Sequence, residues 1–491
     1  MSTARNADTR RLVKPLMHMT GLALVMAWTY VAFFSRLVHY SERNATLSHL
    51  NTTYAWASLG TIVALIGCAL MCRALVEALS RRSGKSPELV SNKVVYVMSL
   101  GASIAIAACT VMLVLVEKKV FLQPWCSIAA FISGFASGVM FLGWAPTFFK
   151  FERVKSLLLL VGSFVFAAVL FVAIQYFHKP VALLVTTLLP LASFTLYHFA
   201  SRDSSPQNVS RAKDSSQLNG VFIRVIVAVF ALGFAESLIR SLFLIVDPIT
   251  NTVAYRWLFM TATVISALII ASSNIFKASY DSVANLNRIA MISFCVLALL
   301  SPIISGIGLL ADLPPLICYC MFYMLVWVYL SQTARAYRIT PRTVFGFGLG
   351  FAYAGCLLGT FFGGALTSFY ELSYRAQSLI ALLCAGTMLI AFLFIADNRT
   401  LALLIDAEDD RPQTPRRFRL RVEEVAQTYG LTAKETEVLM LAAKGRTTQR
   451  IKEELGISTG TANTHLMHIY KKLDVHDRQQ LLDMLDGREE E

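Results

Sequence analysis

Twelve apolar runs fill the first four-fifths of the sequence, each near the ~20 residues that a helix needs to cross a bilayer. They lie at roughly 16–38, 54–76, 94–116, 124–146, 156–177, 181–199, 221–246, 255–275, 289–311, 314–332, 343–368 and 376–396. Hydrocarbon offers the backbone no hydrogen-bond partner, so runs of this length are expected to be helices. The expected fold class is all-α: a polytopic transmembrane helix bundle, followed by a small C-terminal helical domain. The first run is too long for the apolar core of a cleavable signal and lacks a small-residue cleavage site, so it is expected to stay in the chain.

The chain carries a formal net charge of +13, which suits a nucleic-acid partner or a membrane protein with basic inner loops. Position separates the two. Residues 411–491 hold 14 Lys and Arg against 13 Asp and Glu, so nearly all of the excess sits among the apolar runs. With the N-terminus inside, inner segments carry 20 Lys and Arg and outer segments 8. The bias predicts a multi-pass inner (plasma) membrane protein with both termini in the cytoplasm.

The longest internal polar gap, Ala200 to Gly220, divides the runs into six and six. This 6+6 layout resembles the major facilitator superfamily, whose halves are repeats around a midplane site. The loop after the second run, Arg82-Ser83-Gly84-Lys85, is similar to part of that family's Asp-Arg-x-Gly-Arg-Lys signal, with Arg81 where its Asp would stand. The resemblance covers residues 16–396 in topology and implies that the seventh helix lines a central cavity.

Charge inside hydrocarbon is costly and marks a cavity or a partner. The seventh run holds Glu236 and Arg240 four residues apart, on one helix face. They form either a ligand-contacting or gating pair or a self-neutralised structural pair near the outer interface. Trp144 in the fourth run and Trp327 in the tenth are further candidates to line a ligand cavity, or core aromatics. Gly355, Gly359 and Gly363, spaced by four in the eleventh run, leave a bare face for close helix packing or a hinge. All nine cysteines fall in or beside apolar runs without metal-finger spacing, so buried free thiols are expected. No nucleophile elbow, phosphate-cradling glycine loop or metal-binding HxxxH occurs. No enzyme activity, metal or cofactor is expected.

The expected division is a membrane domain at 1–399, a linker at 400–420 and an end domain at 421–491. The linker carries an acidic patch (Asp406, Glu408, Asp409, Asp410), two helix-breaking prolines and the start of a basic run, Arg416, Arg417, Arg419 and Arg421. That run suits either anionic lipid or DNA phosphate.

In the end domain, Thr432 and Glu435 have capping-box spacing before the apolar positions Val438, Leu439, Leu441 and Ala442. A second helix from Thr447 or Thr448 buries Ile451 and Leu455. Gly456 permits a tight turn, and Ser458 caps a third helix to Leu473 that buries Ala462, Leu466, Ile469 and Leu473. A fourth helix is expected at Arg478 to Leu485. Two short helices about a glycine turn form a helix-turn-helix, whose second helix enters the DNA major groove. Asn463 can pair with adenine and Thr464 can meet a thymine methyl, with Met467 and His468 following. Lys444, Arg446, Arg450, Thr461, Lys471 and Lys472 supply phosphate contacts, inside a stretch of net charge +4 from Lys444 to Lys472.

The residues Leu431-Thr432, Glu435, Glu437-Val438-Leu439, Gly445, Ile451, Leu455, Ile457-Ser458, Thr461, Thr464-His465, Ile469, Lys472-Leu473 and Val475 resemble the LuxR-type (NarL/FixJ) DNA-binding domain. The resemblance implies that Asn463, Thr464 and Met467 face bases, that His465 belongs to the reading helix, and that the domain pairs as a homodimer through Leu481, Leu482 and Leu485. Ala462 stands for the family's usual Val and Asn463 for its usual Lys, so the DNA sequence read does not carry over. The combined expectation is a membrane-bound one-component transcriptional regulator that senses a small molecule through its spans. Its expected partners are double-stranded DNA, the lipid bilayer and that unidentified ligand. The alternative is a facilitator-type transporter with a fused regulatory domain.

Overall fold

A computed structural model describes residues 2–39, 47–83, 87–117, 124–151, 153–202, 215–243, 252–275, 282–304, 308–336, 340–369, 373–395, 422, 425–426, 428–443, 447–475 and 480–481. Among these, every regular element is helical. The chain divides into two compact units, Met1–Ala402 and Leu403–Glu491.

The first unit contains α1 (Ser2–Phe34), α2 (Arg36–His39), α3 (Leu47–Ser83), α4 (Pro87–Glu117), α5 (Pro124–Trp144), α6 (Arg153–Ile174), α7 (Lys179–Arg202), α8 (Ser215–Phe243), α9 (Thr252–Ile275), α10 (Ser282–Ile303), α11 (Leu313–Ala336), α12 (Pro341–Phe369) and α13 (Tyr374–Ile395). Short 3-10 turns follow α5, at Ala145–Lys150, and precede α11, at Gly308–Asp312. Ten of the helices hold described stretches long and apolar enough to cross a membrane, against the twelve expected. The other two expected spans correspond to α10 and α13, whose described apolar stretches are shorter, Ile292–Ile303 and Arg375–Ala391. Polar residues open α10, and the helix ends at Ile303 instead of running to 311. The first span breaks at Ser35, whose hydroxyl donates to Val31 O (2.6 Å) and accepts from Leu37 N (3.2 Å).

The packing repeats. In the first half α1 packs on α6 and α7, α3 on α5, and α4 on α5 and α7. In the second half α8 packs on α12 and α13, α9 on α11, and α10 on α11 and α13. Each principal pair thus recurs six spans later. The two most extensive pairs across the halves are α3 with α12 and α6 with α9, and the same shift exchanges them. Helix–helix association in lipid depends on close packing, which small residues allow. A Cβ on Gly355 or Gly359 would run into the α8 carbonyls of Phe230 or Phe234, and one on Gly363 would meet Ser241. Gly346 lies against Leu65 and Ala69 of α3 in the same way, so α12 has one bare face for its own half and another for the opposite half.

The second unit has its own core of Val422, Val438, Leu439, Ala442, Ile451, Ala462, Ile469, Leu473 and Leu481. Its helices are α14 (Ala433–Ala443), α15 (Thr448–Leu455) and α16 (Thr459–Leu473). Of the expected fourth helix, 478–485, only Gln480 and Leu481 are described, both helical.

Candidate functional site

The reading surface is built from its caps upward. Thr447 caps α15 by accepting from Arg450 N (3.4 Å), and Ser458 caps α16 by accepting from Thr461 N (3.0 Å). Between the two helices Gly456 takes the left-handed conformation, φ 63°. A side chain there would be strained, so glycine fixes the turn. At the start of α14 the expected capping box is present. Thr432 N donates to Glu435 Oε2 (2.8 Å) and Glu435 N to Thr432 Oγ1 (3.3 Å).

With Ala462, Ile469 and Leu473 buried, α16 turns Thr461, Asn463, Thr464, Met467, His468 and Lys471 outward. Thr464 Oγ1 donates back to Gly460 O (2.9 Å), which occupies the hydroxyl locally. Met467 is 61% exposed. An apolar side chain this open on a polar face suits contact with a partner surface. His465 is half-buried. Arg450 is open, with Glu454 3.8 Å away. Lys444 and Arg446, expected at phosphates, lie outside the described residues.

Two assignments change. Lys472, expected at DNA phosphate, donates to Glu435 Oε2 (2.7 Å) and to Gly430 O (3.1 Å), so it ties the end of α16 to the start of α14. That bond, with the Thr432 backbone bond next, lowers the Glu435 carboxyl to about pH 2 for titration. Leu481, expected at a dimer face, is 0% exposed within the domain's own core. Leu482 and Leu485 lie outside the described residues.

The membrane unit holds a second cluster. Glu236 is 0% exposed; Arg240 Nε donates to its Oε1 (3.2 Å) and Ser237 Oγ to its Oε2 (3.1 Å). Arg240 Nη2 also lies 3.4 Å from Ser237 Oγ and from Thr360 Oγ1 of α12. Its guanidinium carbon stands 5.3 Å from the Tyr319 ring centre. Tyr319 is 4.9 Å from Tyr323, which is 5.6 Å from Tyr353. From the other half come Phe34, 5.7 Å from Tyr319, and Tyr54, 5.9 Å from Phe34. Arg240 therefore stands at one end of an aromatic network that runs from the second half into the first.

The tryptophans sit elsewhere. Trp144 is 0% exposed in the core of the first half, where its Nε1 donates to Ser193 Oγ (3.0 Å) and Ser193 Oγ to Gly21 O (2.6 Å). It holds α5, α7 and α1 together instead of lining a cavity with Arg240. Trp327 is 2% exposed and lies edge-to-face 5.9 Å from Phe141 and tilted 5.0 Å from Phe345, at the seam between halves.

Sequence reasoning missed the tyrosine ring, because a tyrosine inside an apolar run reads only as bulk. It also read Arg335 and Arg342 as loop charge alone. Arg335 Nη2 donates to Phe148 O and Phe151 O (both 3.0 Å) and stacks on Phe149 (5.0 Å). Arg342 donates to Ser91 Oγ (2.6 Å) and Asn92 Oδ1 (2.8 Å). Both arginines belong to the second half and grip the first. Five of the described cysteines, Cys109, Cys318, Cys320, Cys356 and Cys384, are buried free thiols, as expected. Among the described residues no three His, Cys, Asp or Glu are grouped to hold a metal ion.

Comparison with known proteins separates the two units in the same way. The model of the bacterial regulatory proteins of the luxR family (GerE) matches residues 430–485. Over 64 residues the chain is 44% identical to the transcriptional regulatory protein LiaR of Bacillus subtilis (strain 168). That match takes 13% of this chain and 30% of LiaR, so the chain spans about a third of the curated relative it matches. The membrane unit is similar in fold to a bacterial homologue of the iron transporter ferroportin in an outward-facing state: TM-score 0.54, 12% identity, 80% of this chain and 98% of that one. It is also similar to the Escherichia coli fucose:proton symporter FucP, at TM-score 0.50, 12% identity and coverage of 78% and 97%. Residues 430–485 match the luxR family of bacterial regulatory proteins, on one chain with a unit of membrane-spanning helices that resembles major facilitator transporters in fold.

Proposed function

We propose that the protein is a membrane-embedded one-component transcriptional regulator: the facilitator-like unit senses a small molecule and the luxR-family unit transmits the signal to DNA at the inner membrane. One observation carries the reading. The buried charged pair Glu236–Arg240 abuts an aromatic network that spans both halves of the membrane unit, on a chain whose other unit matches the luxR family of bacterial regulatory proteins. A ligand acts only by binding two states of the protein with different affinity. A ligand touching both halves meets that condition, because their relative position changes its contacts. The arginine clasps at Arg335 and Arg342 belong to one of those states. The reading helix engages DNA through Asn463, Thr464 and Met467, with His465 and His468 beside them. Lys471, Arg450, Lys444, Arg446 and Thr461 meet phosphate. Pairing of two end domains through the segment that holds Leu482 and Leu485 completes a two-fold output.

The test is deletion of residues 411–491. Expression of the gene beside the bound site loses its response to the ligand. A response that survives the deletion overturns the reading. A second reading, a working transporter that also regulates, is favoured by the six-span repeat and its cross-half pairs. It requires net solute flux in vesicles that hold the purified protein.

A further inference from the structure

Arg240 and Glu236 are not equivalent in what they offer a visitor. Glu236 has no exposed side-chain surface, and both of its oxygens are engaged. Its negative charge is spent inside the helix pair. Arg240 keeps 14% of its side chain open. It spends Nε on Glu236 and Nη2 on two hydroxyls at the long distance of 3.4 Å. Among the described residues no hydrogen-bond partner faces Nη1. The charge displayed here is therefore positive, and it is displayed by the planar edge that pairs with a carboxylate in bidentate fashion.

The walls decide what carries the carboxylate. One face of the guanidinium is covered by the Tyr319 ring. Tyr323 lies 4.9 Å from Tyr319, and Phe34, 5.7 Å from Tyr319, carries the ring contacts on to Tyr54. Rings packed together at this spacing form an aromatic wall against which a flat, apolar body stacks offset or edge-on. A hydrated inorganic anion would lose its water here against few polar partners, which costs more than one arginine returns.

We propose that the partly open site at Arg240 binds a small planar organic carboxylate, the carboxylate on Nη1 and, in exchange for its two long hydroxyl contacts, on Nη2, and the ring against the aromatic wall of Tyr54, Tyr319 and Tyr323. The assignment rests on the sensing reading above and names its ligand class. Because Tyr54 belongs to one half and Arg240 to the other, the same molecule bridges the halves. Glu236 competes with it for the guanidinium, so Glu236 tunes affinity downward.

The test uses the full-length protein in lipid nanodiscs, with thermal unfolding followed by intrinsic fluorescence. The probes are benzoate, 4-hydroxyphenylacetate and cinnamate, each beside its primary amide, with benzylamine and inorganic phosphate as further comparators. At least one carboxylate raises the unfolding midpoint saturably, and its amide binds at least tenfold more weakly. Glu236→Gln tightens carboxylate binding at least threefold, a direction that a purely structural salt bridge does not predict. The double variant Glu236→Gln/Arg240→Gln removes both charges without burying an unpaired one, so it retains the fold and loses carboxylate binding at least tenfold. The proposal is overturned if amide, amine or phosphate binds as well as the carboxylates, if no carboxylate of the panel binds, or if Glu236→Gln weakens binding. Operator affinity, measured on the same samples, separates the two claims. Carboxylate binding with unchanged DNA affinity upholds the ligand class and overturns sensing. A neutral compound that binds and shifts DNA affinity does the reverse.

Discussion

At neutral pH one oxygen of Glu435 accepts from Thr432 N, Thr432 Oγ1 and Lys472 Nζ. These bonds hold the acid form off until about pH 2, below the ordinary value near 4.5. A depressed carboxylate contributes stability that is complete above its unfolded pKa and is lost as pH falls through the folded one. Melting of the 403–491 unit is thus expected to drop between pH 4.5 and 2. Glu435→Gln removes that leg of the profile and costs about 1 kcal/mol at pH 7 through the capping box. Equal pH profiles would refute the link. On the open side of α16, Asn463→Ala is expected to cost about 1–3 kcal/mol of operator binding and to relax preference at one base pair. Lys471→Ala is expected to weaken all sequences alike and lower the salt slope by about 1. Electrophoretic or anisotropy titrations at two salt concentrations check both. At this scale the sequence is legible where partners are local: Thr432–Glu435, Gly456 and Ser458 speak through spacings of three or less. Lys472 is not legible, because a lysine near a basic surface looks the same whether its partner is phosphate or a carboxylate 37 residues away.

Elements were legible to the extent that length and apolarity define them. The spans are set by hydrocarbon thickness, so the sequence locates them. It blurs α10, whose start is polar and whose end holds Pro302. Which face of a span meets which neighbour depends on tertiary packing. Only the glycine face of α12 announced itself, through its spacing of four. That face carries a controlled prediction. Gly359→Ala pushes a methyl into the Phe234 carbonyl and Ser237, so α8 must move, and overpacking of this kind costs about 1–3 kcal/mol. Gly364→Ala, a few residues on, meets open space and is expected to be neutral. Thermal midpoints of the two variants in nanodiscs check the contrast; equal midpoints would remove the packing role.

For the whole molecule, the two-domain division and the 6+6 repeat follow from composition: a polar, nearly neutral end domain after twelve apolar runs. The link between halves was not legible. Arg335 and Arg342 satisfy the loop-charge rule wherever their side chains point, and the rule says nothing of the carbonyls and amide oxygen they grip. Cys68 and Arg342 line one small cavity near that grip. Arg335→Ala combined with Arg342→Ala is expected to raise the rate of thiol labelling at Cys68 several-fold, read by mass spectrometry. An unchanged rate would mean that the clasps hold no state closed.

The central claim is that events at the Arg240 site change transcription through the end domain. The direct measurement is crosslinking of the full-length protein to DNA in its bacterial membrane, with sequencing of the captured DNA and of the neighbouring transcripts. Wild type is compared with Glu236→Gln and with Glu236→Gln/Arg240→Gln. The account predicts enrichment of one short shared sequence in all three, with transcript levels of the adjacent gene that differ between wild type and the two variants. Enriched DNA with transcripts indifferent to both variants would contradict it, as would the capture of no specific DNA at all.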